Sequence, residues 1–143
     1  MYDNYDTDFY AWANRQAELL RSERLNEADI AHIAEENESI GKSELRELEN
    51  RLAVLFVHLL KWRFQPTLRC RSWELSIKEQ RRRLRRHLDQ SPSLKSKLPQ
   101  AQLDAFGDAV LKAARQTGLE ESGFPSDCPF VLEQALNDDW WPQ

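Results

Sequence analysis

Between residues 45 and 62, apolar side chains recur at steps of three and four: Leu45, Leu48, Leu52, Leu55, Phe56, Leu59 and Trp62. That spacing belongs to a helix and not to a strand. Within it, every residue from Leu52 to Leu60 is apolar except His58. A helix that is apolar all round has no face to give to water, so other elements must surround it. The segment therefore demands a fold built around one buried helix, which Pro66 stops. Its apolar run falls far short of the roughly 20 residues a membrane span requires, so no membrane association is expected.

The flanks supply the surrounding helices. A first helix is expected from Asp6 or Thr7, with Phe9, Trp12, Gln16, Leu19 and Leu20 on one face. A second is expected to start at Asn26, a good capping residue. Its inner face would be Ile30, Ile33, Ala34, Asn37 and Ile40, and Gly41 reads as its C-cap or as a kink before the central helix of residues 42–64. Ser72 is the expected cap of a fourth helix whose stripe of Trp73, Ile77, Gln80, Leu84 and Leu88 is about 80° wide at 100° per residue. Ser91-Pro92 ends it. A fifth helix over 100–117 would turn Leu103, Phe106, Val110 and Ala114 inward and close on Gly118, and a short helix over 129–136 would follow. Trp140 and Trp141 are expected to close the bundle by burying large rings. At 143 residues and with only four glycines, the chain reads as all-α: a compact single-domain bundle of five to six helices over 1–143.

Charge is distributed unevenly along this chain. Residues 1–60 carry 6 Lys/Arg against 13 Asp/Glu, residues 61–97 carry 12 against 3, and residues 98–143 carry 2 against 8. The densest part of the positive charge is Arg81, Arg82, Arg83, Arg85 and Arg86 on the fourth helix. Their expected role is binding of a partner or of phosphate, with part of the set paired internally to Glu35, Glu36, Glu38, Glu44 and Glu47. Within the helix, Glu79 is placed to answer Arg82 or Arg83, and Asp89 to answer Arg85 or Arg86. An isoelectric point of about 5.4 is far below the basic footprint usual in nucleic-acid binders.

Other constellations read as structural. Cys70 and Cys128 form no disulfide framework or zinc pattern and are expected to be reduced thiols of a cytoplasmic protein. The acidic residues 1–6 precede no hydrophobic stretch, so no secretory signal is expected. His32 with Asp29, Glu35 and Glu36 has metal-like spacing in a single copy and is expected to lie on a solvated face. His58, in the apolar segment, is expected to hydrogen-bond a backbone carbonyl or Glu49. No metal or cofactor is implied. No nucleophile motif, Gly-rich phosphate loop or zinc-protease signature is present, which speaks against an enzyme.

Several words of the sequence occur together: Asp8-Phe9-Tyr10-Ala11-Trp12, Ala34-Glu35-Glu36-Asn37-Glu38-Ser39-Ile40-Gly41, Arg51-Leu52-Ala53-Val54-Leu55, His58-Leu59-Leu60-Lys61-Trp62, Gln65-Pro66, Arg71-Ser72-Trp73, Ile77 with Gln80-Arg81, and Cys128-Pro129-Phe130 through Asp139-Trp140. In this order and spacing the chain resembles a bacterial family of uncharacterised proteins common in cyanobacteria, domain-of-unknown-function family 29. The resemblance implies a compact helical bundle and carries no activity. Asn37 departs from it, standing where the family pattern usually has an aliphatic residue. The expected function is a non-enzymatic binding or adaptor protein that meets an acidic partner through its basic helix. The alternatives are a nucleic-acid binder using the same arginines, and a metal-dependent or hydrolytic enzyme centred on His58.

Overall fold

The computed structural model describes residues 5–143; residues 1–4, part of the stretch in which no secretory signal is expected, lie outside it. Among the described residues there are five α-helices and no strand: α1 (Phe9–Arg21), α2 (Ile30–Phe64), α3 (Arg71–Gln90), α4 (Leu98–Thr117) and α5 (Leu132–Ala135). Short 3-10 turns at Pro66–Leu68, Pro92–Lys97 and Glu121–Gly123 join the later helices. The protein is all-α, as the periodicity requires. No helix among the described residues is long and apolar enough to cross a membrane. The chain divides into two compact units, Met1–Ser43 and Glu44–Gln143.

In the first unit, Asp8 caps α1, its Oδ1 accepting from the Ala11 amide at 3.1 Å. The helix buries Trp12, Gln16 and Leu19, while Phe9 and Leu20 stay largely exposed. Its C-terminus is a Schellman motif: Arg24 N–H donates to Leu19 O at 2.9 Å and Glu23 N–H to Leu20 O at 3.1 Å. Glu23 holds the left-handed position, with φ of 59°. The next helix begins at Ile30 and not at Asn26, because Asp29 captures its first turn. Asp29 Oδ1 accepts from the His32 amide at 3.3 Å, its Oδ2 from Trp12 Nε1 at 3.0 Å, and its own amide donates to Gln16 Oε1 at 2.7 Å.

Gly41 neither caps nor ends anything: α2 runs unbroken for 35 residues. The expected inner stripe of its first part is largely outside, with Ile30 and Ile40 more than half exposed. The contacts with α1 come from Asp29, which accepts from Trp12 Nε1, and from His32, whose ring meets that of Trp12 edge-on at 6.3 Å.

The second unit holds the core. Leu48, Leu52, Ala53, Leu55, Phe56, Val57, Leu59 and Leu60 of α2 are all buried in it. Each such leucine, taken fully out of water, contributes about 1.5–3 kcal/mol. Ile77, Leu84 and Leu88 of α3 pack with them, as do Phe124 and Phe130 of the C-terminal loops. From α4 the buried set is Ala101, Ala105, Phe106, Ala109 and Ala113. The expected Leu103 is instead 62% exposed. The buried face of α4 is made of small residues, an alanine every fourth position, with Phe106 beside them. Gly118, in the left-handed region with φ of 76°, caps α4 through its amide to Ala114 O at 2.9 Å. The tail closes this unit as expected: the Trp141 ring centre lies 4.6 Å from that of Trp62, and Trp140 meets Phe130 at 6.2 Å.

Candidate functional site

The five arginines of α3 separate into three groups. Arg81 is fully buried. Its Nε donates to Ala135 O at 2.7 Å, its Nη2 to Trp140 O at 2.6 Å and its Nη1 to Asp138 O at 3.4 Å. The guanidinium carbon also stands 5.2 Å from the Trp141 ring centre. Burial lowers the Arg81 pKa from its ordinary value, while Asp138 opposes that shift. Arg81 thus faces inward as a clasp on the C-terminal segment, which corrects its placement on an exposed binding stripe. The reason is angular. Taking Trp73 as zero, Arg81 stands at about 80°, only about 20° past Leu88 at the edge of the apolar stripe.

Arg85 is also engaged. Its Nη1 donates to Asp138 Oδ1 at 2.9 Å and to Leu136 O at 2.8 Å, and its Nη2 to Asp138 Oδ2 at 3.0 Å. This fork holds the Asp138 carboxyl below its usual range. Arg83 pairs within its own helix, Nη2 to Glu79 Oε1 at 2.7 Å. Among the described residues, Arg82 and Arg86 make no ion pair, and within the second unit no α3 arginine pairs with Glu44, Glu47 or Asp89. The internal partners of Arg81 and Arg85 are instead Asp138 and main-chain carbonyls of the C-terminal segment.

Arg82, Arg83 and Arg86 line one wall of a polar cavity of about 580 Å³ in the second unit, together with Glu79, His87 and Gln90; Glu44, Glu47 and Arg51 of α2 line the other. Arg51 grips Glu47 Oε1 through Nη2 at 2.6 Å and Nε at 3.0 Å. That bond, with the nearby charges of His87 and Arg83, lowers the Glu47 pKa. His87, only 5% exposed, donates Nε2–H to Glu44 O at 3.0 Å. Its Nδ1 lies 3.7 Å from Glu47 Oε2, and its Nε2 lies 3.6 Å from Glu44 Oε2. Nothing in the charge pattern of α3 singles out His87. The signal was angular, for at about −40° it lies about 20° outside the other edge of the same stripe.

The remaining histidines are placed differently. His58 Nδ1 donates to Val54 O at 2.8 Å, the backbone bond foreseen, and not to Glu49. Burial lowers its pKa. Gln80, on the apolar stripe of α3, has a buried Oε1 with no hydrogen-bond partner among the described residues. His32 is half-buried and not a free surface group. Its Nδ1 donates to Asp29 Oδ2 at 2.7 Å, and its ring stacks on Tyr5 at 4.1 Å. The Asp29 bond raises the His32 pKa. Cys70 and Cys128 are free thiols.

No curated protein and no solved structure matches the chain. The family model described as domain of unknown function DUF29 matches residues 4–141. That match covers the buried α2 segment, the clasping Arg81, the polar cavity and the closing tryptophans in one continuous span, and the chain belongs to the DUF29 family.

Proposed function

We propose that this protein is a non-enzymatic binding module that captures an acidic segment of a partner protein on the outer face of α3. The observation that carries the reading is the pair Arg82 and Arg86. They stand one helical turn apart on one face, both exposed and without an ion pair among the described residues. Like charges at i,i+4 disfavour a helix slightly, so the pair has a stability cost that an anionic partner would remove. Two guanidinium forks four residues apart, about 6 Å along the axis, match carboxylates on neighbouring residues of an acidic segment.

The surroundings favour a protein over a nucleic acid. Glu44, Glu47 and Glu79 share the cavity with the arginines, and a continuous phosphate backbone would be repelled by them. A strand-tracking surface also needs more than two uncommitted cations.

A fluorescent oligoglutamate peptide and an oligonucleotide duplex of similar charge, titrated against the intact chain, test this. The peptide should bind, weaken with added salt, and lose at least about tenfold in affinity in the Arg82→Glu, Arg86→Glu double variant, whose melting should stay within about 0.5 kcal/mol of the parent. Tighter binding of the duplex would transfer the reading to nucleic acid. A folded double variant that keeps its peptide affinity would end it.

A further inference from the structure

We propose that the exposed face of α4 is the interface of a homodimer in which two copies lie antiparallel across a two-fold axis at Gly107. The argument starts from what α4 leaves in water. Leu103 and Leu111 are each half or more exposed, and Gly107 stands midway between them. A Cβ added to Gly107 would meet nothing within 4 Å, so packing within the chain does not require glycine there. A glycine inside a helix weakens it, and what it offers in return is a close approach by another backbone.

Taking Gly107 as zero at 100° per residue, Leu103 stands at about −40° and Leu111 at about 40°. Next to Leu103, at about −60° and −100°, are Val110 and Phe106. They line an open groove of about 700 Å³ together with Phe124 and Pro125. On the opposite flank, between about 60° and 140°, stand Asp104, Arg115, Asp108 and Lys112.

This face is complementary to itself. A two-fold dimer needs a patch on which residue i meets j while j meets i. Turned antiparallel about Gly107, Leu103 of one copy comes level with Leu111 of the other and leans toward its groove. Each groove then receives the second copy's Leu103. The glycines meet at the crossing, where no side chain holds the backbones apart. Reversing a helix also reverses its sense of rotation, so both charged flanks fall on the same side of the seam. Asp104 is then level with residue 110 of the second copy, about 3 Å along the axis from Lys112.

The charges select the occupant. Asp104 and Asp108 hold the first half of the flank, Lys112 and Arg115 the second. Among the described residues none of the four makes an ion pair, although Asp108 and Lys112 have the i,i+4 spacing that favours one. Asp104 accepts only from Gln100 Nε2, at 3.1 Å. An antiparallel copy sets acid on base in both halves. A parallel copy sets like on like, and a partner of one charge sign is opposed by half of the flank. One helix face and one groove form a small interface, so the dimer belongs to the micromolar range. It shares no residue with the α3 cavity and does not depend on the peptide reading.

Sedimentation equilibrium of the intact chain from about 1 to 300 μM tests this. A monomer–dimer equilibrium is expected. Leu103→Glu and Gly107→Arg should each weaken it at least about tenfold while the circular dichroism stays that of the parent. Asp104→Lys should weaken it by a similar factor, because each pair occurs twice, and adding Lys112→Asp should restore it. A chain that stays monomeric throughout would overturn the proposal. So would a dimer indifferent to both Leu103→Glu and Gly107→Arg, or one that the reversed charge pair fails to restore. If Gly107→Arg does not fold, Leu103→Glu, at an exposed position, still decides.

Discussion

Arg81 ties α3 to the C-terminal segment through one side chain. It is buried, and its donors are spent on the carbonyls of Ala135, Asp138 and Trp140. Arg81→Met would keep the bulk and leave three carbonyls without their donor, so a loss of at least about 3 kcal/mol is expected in urea unfolding. Arg81→Lys should recover little of it, because a single ammonium cannot span three acceptors. His58 offers a check with a sign. Its folded pKa is lowered by burial, so the unfolded chain takes up the proton first as pH falls. The His58 contribution is therefore intact above the unfolded value near 6.5 and drains away as pH drops toward the lower folded value. His32, whose pKa is raised, works in the other direction: its contribution is full below about 6.5 and is lost as pH rises through the folded value. Melting temperatures between pH 5 and 8 should show a shallower acid-side slope in His58→Gln and a shallower alkaline-side slope in His32→Gln. The bond of His58 to a backbone carbonyl was legible from its apolar neighbours. The inward turn of Arg81 and His87 was not, because composition marked them as surface residues while their angles put them just beside the buried stripe.

At the scale of the element, the chain places its glycine and its left-handed residue contrary to simple expectation. Gly41 sits inside α2, where an added Cβ would meet nothing within 4 Å. Glu23 occupies the positive-φ position that ends α1. Gly41→Ala should stabilise by about 0.5–1 kcal/mol through helix propensity and a less flexible unfolded chain. Glu23→Gly should gain a similar amount by removing left-handed strain. Chemical denaturation of both single variants and the pair checks this, and near-additive gains are expected for sites in different elements. The glycine misled the helix boundary because a stop signal acts only if the backbone can turn there, and the helical hydrogen bonds of α2 continue through it. On α4 the expected inner face included Leu103, a large residue that lies outside. Size measures what burial would gain, but the four-residue spacing of Ala101, Ala105, Ala109 and Ala113 marks the face that is in fact buried.

Across the whole molecule, the hydrophobic core cluster draws its residues from Leu45 onward, and the aromatic and polar contacts around Asp29 belong to the unit before Ser43. Residues 44–143 expressed alone should therefore unfold in one cooperative transition seen by circular dichroism, and a non-cooperative or coil-like fragment would contradict this. The all-α character and the buried central segment were legible because they rest on a period sustained over 18 positions. The charge map was legible only as an excess. Which acid meets which arginine depends on tertiary placement, and the Asp138 partner of Arg85 lies 53 positions away in sequence. One consequence of the Arg81 clasp concerns how the C-terminal segment can vary. Its three acceptors are main-chain oxygens, so the side chains on those residues are irrelevant to the bond, whereas their spacing is decisive. Removing one residue, Asp139 for instance, would displace the Trp140 carbonyl by about 3.8 Å, a full Cα step. For the Arg81 clasp, residues 135–140 are held to their count, whichever side chains carry the three carbonyls.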